Sequence, residues 1–294
     1  MNRTDKLILG TVQFGLPYGI NNPSGMPDYN EVSSILTLAH ESGITLLDTA
    51  EAYGVSQEVI GRYHNKQPFR FEVITKFDHR KDLISQDITE RVETDLSILS
   101  VKQLYAYMFH SFADYKNYSI PFESQLTSLQ KRGVIQKVGV SIYTNEEMAQ
   151  VIEKGNVQLI QLPFNLLDNF AQRGQLIRKA KERGIEVHTR SVFLQGLFFM
   201  EDNTLPSKLA PLSPYLKALR NMAGSLGTSI QALALNYAVQ STGIDKVLIG
   251  TEKRHQLEAN ISALNQLIDP SLMKEIDELV VASPELLNPV NWKA

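Results

Sequence analysis

The sequence contains no cysteine, and this absence excludes two kinds of site. Without a thiol the chain has neither a disulfide framework nor a thiolate metal site. The histidines also lack the close spacing that is typical of zinc ligands. They are His40, His64, His79, His110, His188 and His255. We therefore expect no metal centre.

Long apolar runs and an excess of one charge sign are absent as well. No run of about 18 apolar residues occurs, and residues 1–6 lead into the first strand candidate without an apolar signal segment. The 29 basic and 32 acidic residues are mixed along the chain and give a net charge of -3. This balance gives no electrostatic reason to expect nucleic acid or an anionic membrane as a partner. We expect a cytoplasmic protein that binds neither.

Short runs of β-forming residues alternate with segments in which apolar residues recur every three or four positions. The strand candidates are residues 7–11, 44–48, 72–76, 104–110, 135–141, 158–162, 185–190 and 245–250. The helical segments include residues 28–42, 84–99, 123–132, 145–154, 171–183 and 229–240. Eight such alternations favour an α/β fold, a closed (β/α)8 TIM barrel of eight parallel strands, over an open doubly wound sheet. We expect one domain over residues 1–294.

Glycines and prolines predict where the helices end and where a long loop lies. Gly43, Gly133 and Gly184 each follow a helical segment and precede a strand candidate, where a glycine can close the helix in a left-handed conformation. Residues 197–214 contain several prolines and no clear periodicity. They are predicted to form one long loop on the active-site face of the barrel.

Three of the strand candidates end in an ionisable residue, namely Asp48, Lys76 and His110. Such a residue is costly at the end of a buried strand unless it is paired or functional. In a barrel these three side chains would converge at the carboxyl end, and Tyr53 would reach the same place from the loop after the second strand. Together they have the chemistry of a proton-donating site. Singly, each has a structural explanation: a loop cap, a surface charge or a satisfied core histidine.

At these residues the chain resembles the aldo-keto reductase family, and the resemblance covers nearly its whole length. The Asp-Thr-Ala-x-x-Tyr-Gly segment carries most of its specificity, because a lysine and a histidine follow it in the matching order. The matching segments are Leu9 to Thr11, Gly43 to Gly61, Ile74 to Lys76, His110, Gly133 to Ser141, Gln161 to Asn165 and Gly250 to Asn260.

The resemblance implies a reaction and a role for each of the four groups. Tyr53 would donate a proton to a substrate carbonyl while a hydride arrives from reduced nicotinamide. Free tyrosine has a pKa near ~10, so Lys76 would lower the pKa of Tyr53, and Asp48 would keep Lys76 charged. His110 would hydrogen-bond to the carbonyl oxygen.

The resemblance also implies cofactor contacts, mostly in the second half of the chain. Ser141 and Gln161 match positions that bind the nicotinamide carboxamide, while Gln195 and Gly196 are candidates for the pyrophosphate. The cofactor-binding candidates are Gly10, Thr11, Val12, Asp48, Ser141, Gln161, Arg190, Ser191, Gln195, Gly196, Gly250, Thr251, Lys253, Arg254, Gln256 and Asn260. No Gly-x-Gly-x-x-Gly fingerprint is present, which argues against a Rossmann domain.

The choice between NADPH and NADH depends on the start of one helix. Lys253 and Arg254 stand at its amino terminus, where formal charge and backbone donors suit a 2'-phosphate. Gln256 and Asn260, in the same helix, match positions that contact adenine. The sequence therefore favours NADPH, with NADH as the other option. The alternative interpretation is that Lys253 and Arg254 form a solvated pair.

Departures from the family pattern concern the substrate pocket. Arg190 stands where many members stack a tyrosine on the nicotinamide. Ser111 and Val12 occupy positions where tryptophan is frequent in the family, and Ile142 occupies a position where asparagine is usual. The pocket is therefore expected to be less aromatic and more open, with a small polar carbonyl compound, such as a sugar or sugar derivative, as substrate. The sequence leaves the oligomeric state open.

Three other functions share this framework. One is a redox-sensing or auxiliary subunit that keeps the cofactor with little turnover, because a fold does not fix a function. A second is an aldolase or lyase that uses Lys76 as a Schiff-base amine. A third option is a glycosidase built on Asp48 and Glu51. It is weaker, because residues three apart need not face each other across a sugar.

Overall fold

A computed structural model describes residues 3–79 and 87–292 of the chain. Its central feature is a closed barrel of parallel strands in sequential order, as the sequence predicts. The strands are Leu7–Gly10 (β1), Leu46–Asp48 (β2), Glu72–Phe77 (β3), Leu104–Phe109 (β4), Ile135–Ser141 (β5), Leu159–Pro163 (β6), Glu186–Arg190 (β7) and Lys246–Gly250 (β8).

Helices surround the barrel and cover its strands. The α-helices of the described part of the chain are Tyr29–Glu41 (α1), Ser56–His64 (α2), Ile88–Leu99 (α3), Phe112–Tyr118 (α4), Glu123–Lys131 (α5), Asn145–Lys154 (α6), Phe170–Glu182 (α7), Ser213–Ser225 (α8), Ile230–Gln240 (α9), Arg254–Ala263 (α10) and Pro270–Asp277 (α11). Among them, none combines the length and the apolar character that a membrane span requires.

The predicted helix ends are confirmed, but one predicted loop is wrong. Gly43, Gly133 and Gly184 adopt positive φ angles of 83°, 70° and 71°. Residues 197–214 were expected to form one long loop. They instead contain short 3-10 helices and the start of α8. Pro214 lies in the first turn of that helix. The predicted helix 84–99 begins at Ile88, and residues 84–86 lie outside the described residues.

The apolar core has two parts. A large layer packs between the strands and the helices. A smaller one fills the inside of the barrel with Ile8, Leu46, Ile74, Ala106, Met108 and Leu159. Each fully buried side chain of this kind contributes about 1.5–3 kcal/mol relative to its exposed state. The inside of the barrel is therefore a packed core over part of its length, and an open site has to lie beyond these side chains.

Strand register brings the predicted site residues to one end of the barrel. Gly10 pairs with Asp48 on one side and with Gly250 on the other. Farther round the barrel, Ser141 pairs with Gln161. All of these residues stand at or near the carboxyl ends of their strands, which is the end where enzymes of this fold carry their active sites.

Candidate active site

A buried ion pair joins the ends of β2 and β3. Lys76 Nζ donates to Asp48 Oδ1 and also to the carbonyl oxygen of Thr49, at 3.0 Å for the latter. The side chains of Lys76 and Asp48 are only 1% and 2% exposed. Burial lowers the pKa of Lys76, and the charge of Asp48 opposes that shift. Each charge therefore depends on the other to remain in this apolar setting.

Gln161 holds the same carboxylate from the other side. Its Nε2 donates to Asp48 Oδ2 at 2.8 Å, so both oxygens of Asp48 accept a hydrogen bond. Sequence analysis did not predict this contact, because Gln161 lies on β6, far along the chain from Asp48. The expected contact of Gln161 with a nicotinamide remains a prediction.

Tyr53 and His110 lie beside this pair. Their ring centroids are 5.5 Å apart, in an edge-to-face arrangement. Lys76 Nζ lies 5.2 Å from the centroid of the Tyr53 ring. The structure thus brings together all four side chains that were expected to converge. Their catalytic roles are a separate matter, since position alone does not assign a role.

The pKa of Tyr53 is raised, whereas sequence analysis expected Lys76 to lower it. Burial is the largest cause, and the negative charge of Asp48 adds to it. Arg190 lowers the pKa of Tyr53 but does not outweigh these two effects. The net shift is therefore upward, opposite to the direction expected from Lys76. Tyr53 consequently keeps its proton throughout the neutral range.

A cavity of about 470 Å³ opens at this end of the barrel. Among the predicted cofactor residues, those that line it are Gly10, Thr11, Val12, Asp48, Gln161, Arg190, Ser191, Gln195, Gly196, Gly250, Gln256 and Asn260. Tyr53 lines it too. The remaining four candidates, Ser141, Thr251, Lys253 and Arg254, are not among its lining residues. Sequence analysis missed Gln13, Tyr18, Asn21, Gln231, Glu252 and His255, which lie in loops and helices without a local signal of their role.

An unsatisfied polar atom indicates that this cavity is built for a polar ligand. Gln13 lines the cavity, and its Oε1 is buried without a hydrogen-bond partner among the described residues. A native protein seldom leaves such an atom unpaired unless another molecule completes it. Gly250 also leaves room here, since a Cβ at this position would lie 2.5 Å from Gln13 Nε2. These features fit a nicotinamide dinucleotide, whose amide, hydroxyl and phosphate groups need many polar contacts.

The segment after β7 carries backbone strain. Ser191, Leu194 and Gln195 have positive φ angles of 61°, 47° and 54°. Residues other than glycine adopt this conformation at a cost, and such strain concentrates at ligand sites. Of the three, Ser191 and Gln195 line the cavity. The strain therefore lies where a ligand would be held.

Two loops meet across the cavity and form a bridge. Gln195 Nε2 donates to the Tyr18 hydroxyl at 2.8 Å, and the Ile20 amide donates to the Gln195 carbonyl oxygen at 3.2 Å. Gly196 is required here, because it adopts a φ of 90° and a Cβ would lie 2.9 Å from Asn21 Cβ. Tyr18, Gln195 and Gly196 line the cavity, and Gln195 and Gly196 are the ones for which the sequence predicts a pyrophosphate.

Arg190 is held by the loop after β5. Its guanidinium carbon lies 4.1 Å from the centroid of the Tyr143 ring, and Nη2 donates to the Ile142 carbonyl oxygen at 3.0 Å. Within residues 3–79 and 87–292, Arg190 forms no ion pair with a carboxylate. A cation that lines a cavity without such a partner is available to an anionic or strongly polar group of a ligand.

Glu51 faces away from the cavity. Its carboxylate pairs with Arg91 and accepts a hydrogen bond from the Tyr107 hydroxyl at 2.8 Å. The Asp78 amide donates to it as well, at 3.2 Å. Glu51 therefore holds the loops after β2 and β3 together, and the structure does not support a glycosidase pair of Glu51 with Asp48.

Comparisons with known proteins agree with the fold. A family model described as the aldo/keto reductase family matches residues 6–281. An uncharacterized oxidoreductase, YqkF, of Bacillus subtilis is 26% identical over 80% of this chain and 83% of its own. An NADH-specific methylglyoxal reductase of Escherichia coli is 24% identical over 82% and 85%.

A solved structure shows the same fold. The holo form of the aldo-keto reductase AKR11C1 from Bacillus halodurans superposes with a TM-score of 0.73, at 21% identity, over 94% of this chain and 92% of its own. At that level of identity the likeness concerns the fold alone. The family model covers most of the chain, and its match agrees with the barrel. The chain is an oxidoreductase that belongs to the aldo/keto reductase family.

Proposed function

We propose that the protein reduces an aldehyde or ketone to the alcohol with a reduced nicotinamide dinucleotide, and that Tyr53 donates the proton. One observation carries the proposal: Tyr53 and His110 lie beside the buried Lys76–Asp48 pair, and Tyr53 and Asp48 line the same cavity as the unpaired Gln13 Oε1. When bound, the cofactor supplies the hydride. The remaining chemistry belongs to the side chains.

Each of the four side chains has a role in this proposal. Tyr53 is protonated at neutral pH, as a tyrosine with an ordinary pKa near ~10 also is, so it has a proton to give. His110 hydrogen-bonds to the carbonyl oxygen and orients it. Lys76 lies close enough to stabilise negative charge that develops at the Tyr53 oxygen during transfer. Asp48, fixed by Gln161, keeps Lys76 charged and in place.

The substrate is proposed to be small and polar, such as a sugar or a sugar derivative. Arg190 supports this choice, because it reaches the cavity without a carboxylate partner in the described part of the chain. The hydroxyl of Tyr18, which lines the same cavity, offers a further hydrogen-bonding group. A wholly apolar carbonyl compound would make no use of these polar groups, whereas a polar one can form hydrogen bonds with them.

The identity of the dinucleotide is a finer question. The sequence favours NADPH through Lys253 and Arg254, and the relative from Escherichia coli is named as NADH-specific. Both cofactors therefore fit the proposed reaction. In the structure, the Arg254 guanidinium donates to Glu258 and Ser34, so only part of the predicted phosphate site is available.

Tyr53→Phe tests the proposal directly. Oxidation of NADPH and NADH should be followed with a panel of aldehydes, ketones and aldoses. Loss of the hydroxyl should lower turnover about 10²- to 10⁴-fold, the range for a lost general acid. Dinucleotide affinity, measured by titration of the nicotinamide fluorescence, should change little because the ring remains.

Tyr63→Phe is a matched control. Tyr63 is buried outside the cavity and its hydroxyl lies 3.0 Å from Thr37 Oγ1, so the same chemical change there should leave turnover intact. Turnover that survives in Tyr53→Phe would refute Tyr53 as the proton donor. Tight dinucleotide binding by the wild type without turnover on any compound would instead indicate an auxiliary or sensing subunit.

A further inference from the structure

The far end of the cavity is formed by α9 and α10. Gln256, Ala259 and Asn260 of α10 line it, and Gln231 of α9 donates to Asn260 Oδ1 at 2.6 Å. If the proposed function holds, the nicotinamide lies beside Tyr53. The rest of the dinucleotide then extends along the cavity, and its adenosine half reaches this end. The following inference rests on that function.

Three backbone donors at the start of α10 already have partners. The amides of Glu252 and Lys253 donate to Gln256 Oε1 at 2.8 and 3.2 Å. The amide of Arg254 donates to Glu31 Oε1 at 2.6 Å. A helix amino terminus binds a phosphate with such free amides. Here the protein's own oxygen atoms, one of them from a carboxylate, occupy these three donors.

Glu31 is positioned for this contact by α1. Asp28 caps α1 and accepts a hydrogen bond from the Glu31 amide at 2.9 Å, which places Glu31 in the first turn. Helix α1 packs against α10. The carboxylate of Glu31 is therefore part of the fixed framework at the start of α10, although it lies more than 200 residues away in the sequence.

The charges around this helix end are mainly negative. Glu31 and Glu252 contribute two carboxylates, and Glu252 lines the cavity itself. The guanidinium of Arg254 is directed elsewhere, since it donates to Glu258 at 2.9 Å and to the Ser34 carbonyl oxygen at 3.1 Å. Three carboxylates, Glu31, Glu252 and Glu258, thus outnumber the two cations, Lys253 and Arg254. A doubly charged phosphate would meet net repulsion here.

We propose that Glu31 and Glu252 make this protein select NADH over NADPH. A carboxylate accepts a hydrogen bond from the 2'-hydroxyl of the adenosine ribose, which NADH retains, and repels the 2'-phosphate that replaces it in NADPH. The sequence-based preference for NADPH depends on Lys253 and Arg254 as free cations. The pairing of Arg254 with Glu258 weakens that argument.

Binding measurements test this selection without turnover. Dissociation constants for NADH and NADPH should be determined by fluorescence titration for the wild type, Glu31→Gln, Glu252→Gln and the double variant. The wild type should bind NADH about tenfold more tightly than NADPH, since selection here acts through repulsion. Each single variant should lower the ratio of the NADPH to the NADH dissociation constant about threefold, mainly by tighter NADPH binding. Glutamine at position 31 can still accept the Arg254 amide, so α10 should keep its start.

Glu41→Gln is the matched control, because Glu41 lies in the last turn of α1 and is exposed. It removes the same charge from the same helix and should leave the ratio of the two constants unchanged. Binding of NADPH as tight as that of NADH by the wild type would overturn the selection while leaving the reductase proposal in place. Binding of neither dinucleotide would overturn both. If the double variant keeps the wild-type ratio of the two dissociation constants, Glu31 and Glu252 do not select between NADH and NADPH.

Discussion

Charged groups lie at both ends of the barrel interior, fully buried at one end and partly buried at the other, and they have different surroundings. At the carboxyl end, the Lys76–Asp48 pair lies beside a cavity. The neighbouring Tyr53 hydroxyl forms no hydrogen bond with the described residues. Toward the amino end, Glu186 accepts hydrogen bonds from the Tyr105 hydroxyl at 2.5 Å, from His188 Nε2 at 2.7 Å and from Lys137. None of these four residues lines the active-site cavity.

The electrostatics of the two ends differ accordingly. Burial alone would raise the pKa of Glu186, but hydrogen bonds from His188, Lys137 and Tyr105 outweigh it, and the pKa is lowered. Glu186 is therefore a stable anion. At the other end burial and Asp48 raise the pKa of Tyr53, and no hydrogen bond offsets them. A buried charge thus indicates a reactive site only where a neighbouring group is left incompletely satisfied and faces a cavity.

Breaking the pair at the carboxyl end should have the largest effect. Lys76→Met leaves Asp48 as a buried charge without its counterion, which typically costs about 3–5 kcal/mol of unfolding free energy. Turnover should fall by about 10²-fold or more, because the group that stabilises charge at Tyr53 is gone. Chemical denaturation and steady-state kinetics measure the two effects.

The double variant Asp48→Asn, Lys76→Met separates stability from catalysis. Removing both charges should restore part of the lost stability, because no uncompensated ion remains. Turnover should stay low. Recovery of turnover in the double variant would contradict a direct role for Lys76 and would leave the pair as a structural element like that at the amino end.

A change at the amino end should affect stability alone. Glu186→Gln weakens three hydrogen bonds to a charged acceptor and should cost about 1–3 kcal/mol of unfolding free energy. The value of kcat/KM should stay within about twofold of the wild type, since changes this far from the reacting atoms normally leave binding and chemistry intact. A large fall in kcat/KM with retained folding would show that the two ends are coupled.

The difference between the two ends was only partly predictable from the sequence. Asp48, Lys76 and His110 close apolar runs, so a local pattern predicts their strand ends, and the eight alternations fix the barrel. The contacts that decide their environment are not local. Gln161 reaches Asp48 from β6, and Glu31 reaches the start of α10 from α1. No periodicity in the chain predicts either contact.

The loop after β7 shows a second limit of prediction. Prolines at 206, 211 and 214 suggest a break in structure, but proline also opens helices, and α8 begins at Ser213 with Pro214 in its first turn. The strained conformations of Ser191 and Gln195 are likewise invisible in the sequence, because the tertiary structure imposes them on residues that normally avoid them.

The smallest expected effect is on the free energy of unfolding at alkaline pH, which should depend on the surroundings of individual tyrosines. Burial raises the pKa of Tyr53 and also that of Tyr107, for which Glu51 adds to the shift. Above the unfolded value of about 10, the unfolded chain loses protons that the folded protein retains, so stability falls as pH rises. The slope is at most about 1.4 kcal/mol per pH unit for each tyrosine. Below about pH 9 these groups contribute no pH dependence.

Phenylalanine variants give this prediction its sharpest form. Tyr53→Phe should reduce the alkaline slope in urea unfolding between about pH 9.5 and 11 while leaving stability at pH 8 unchanged, because the Tyr53 hydroxyl has no hydrogen bond to lose. Tyr107→Phe should reduce the slope too, but it should also cost about 1 kcal/mol at pH 8 through the lost bond to Glu51. Equal slopes for the wild type and Tyr53→Phe would mean that the pKa of Tyr53 is not raised. Tyr53 would then be more acidic than its buried position implies, as the sequence had suggested through Lys76.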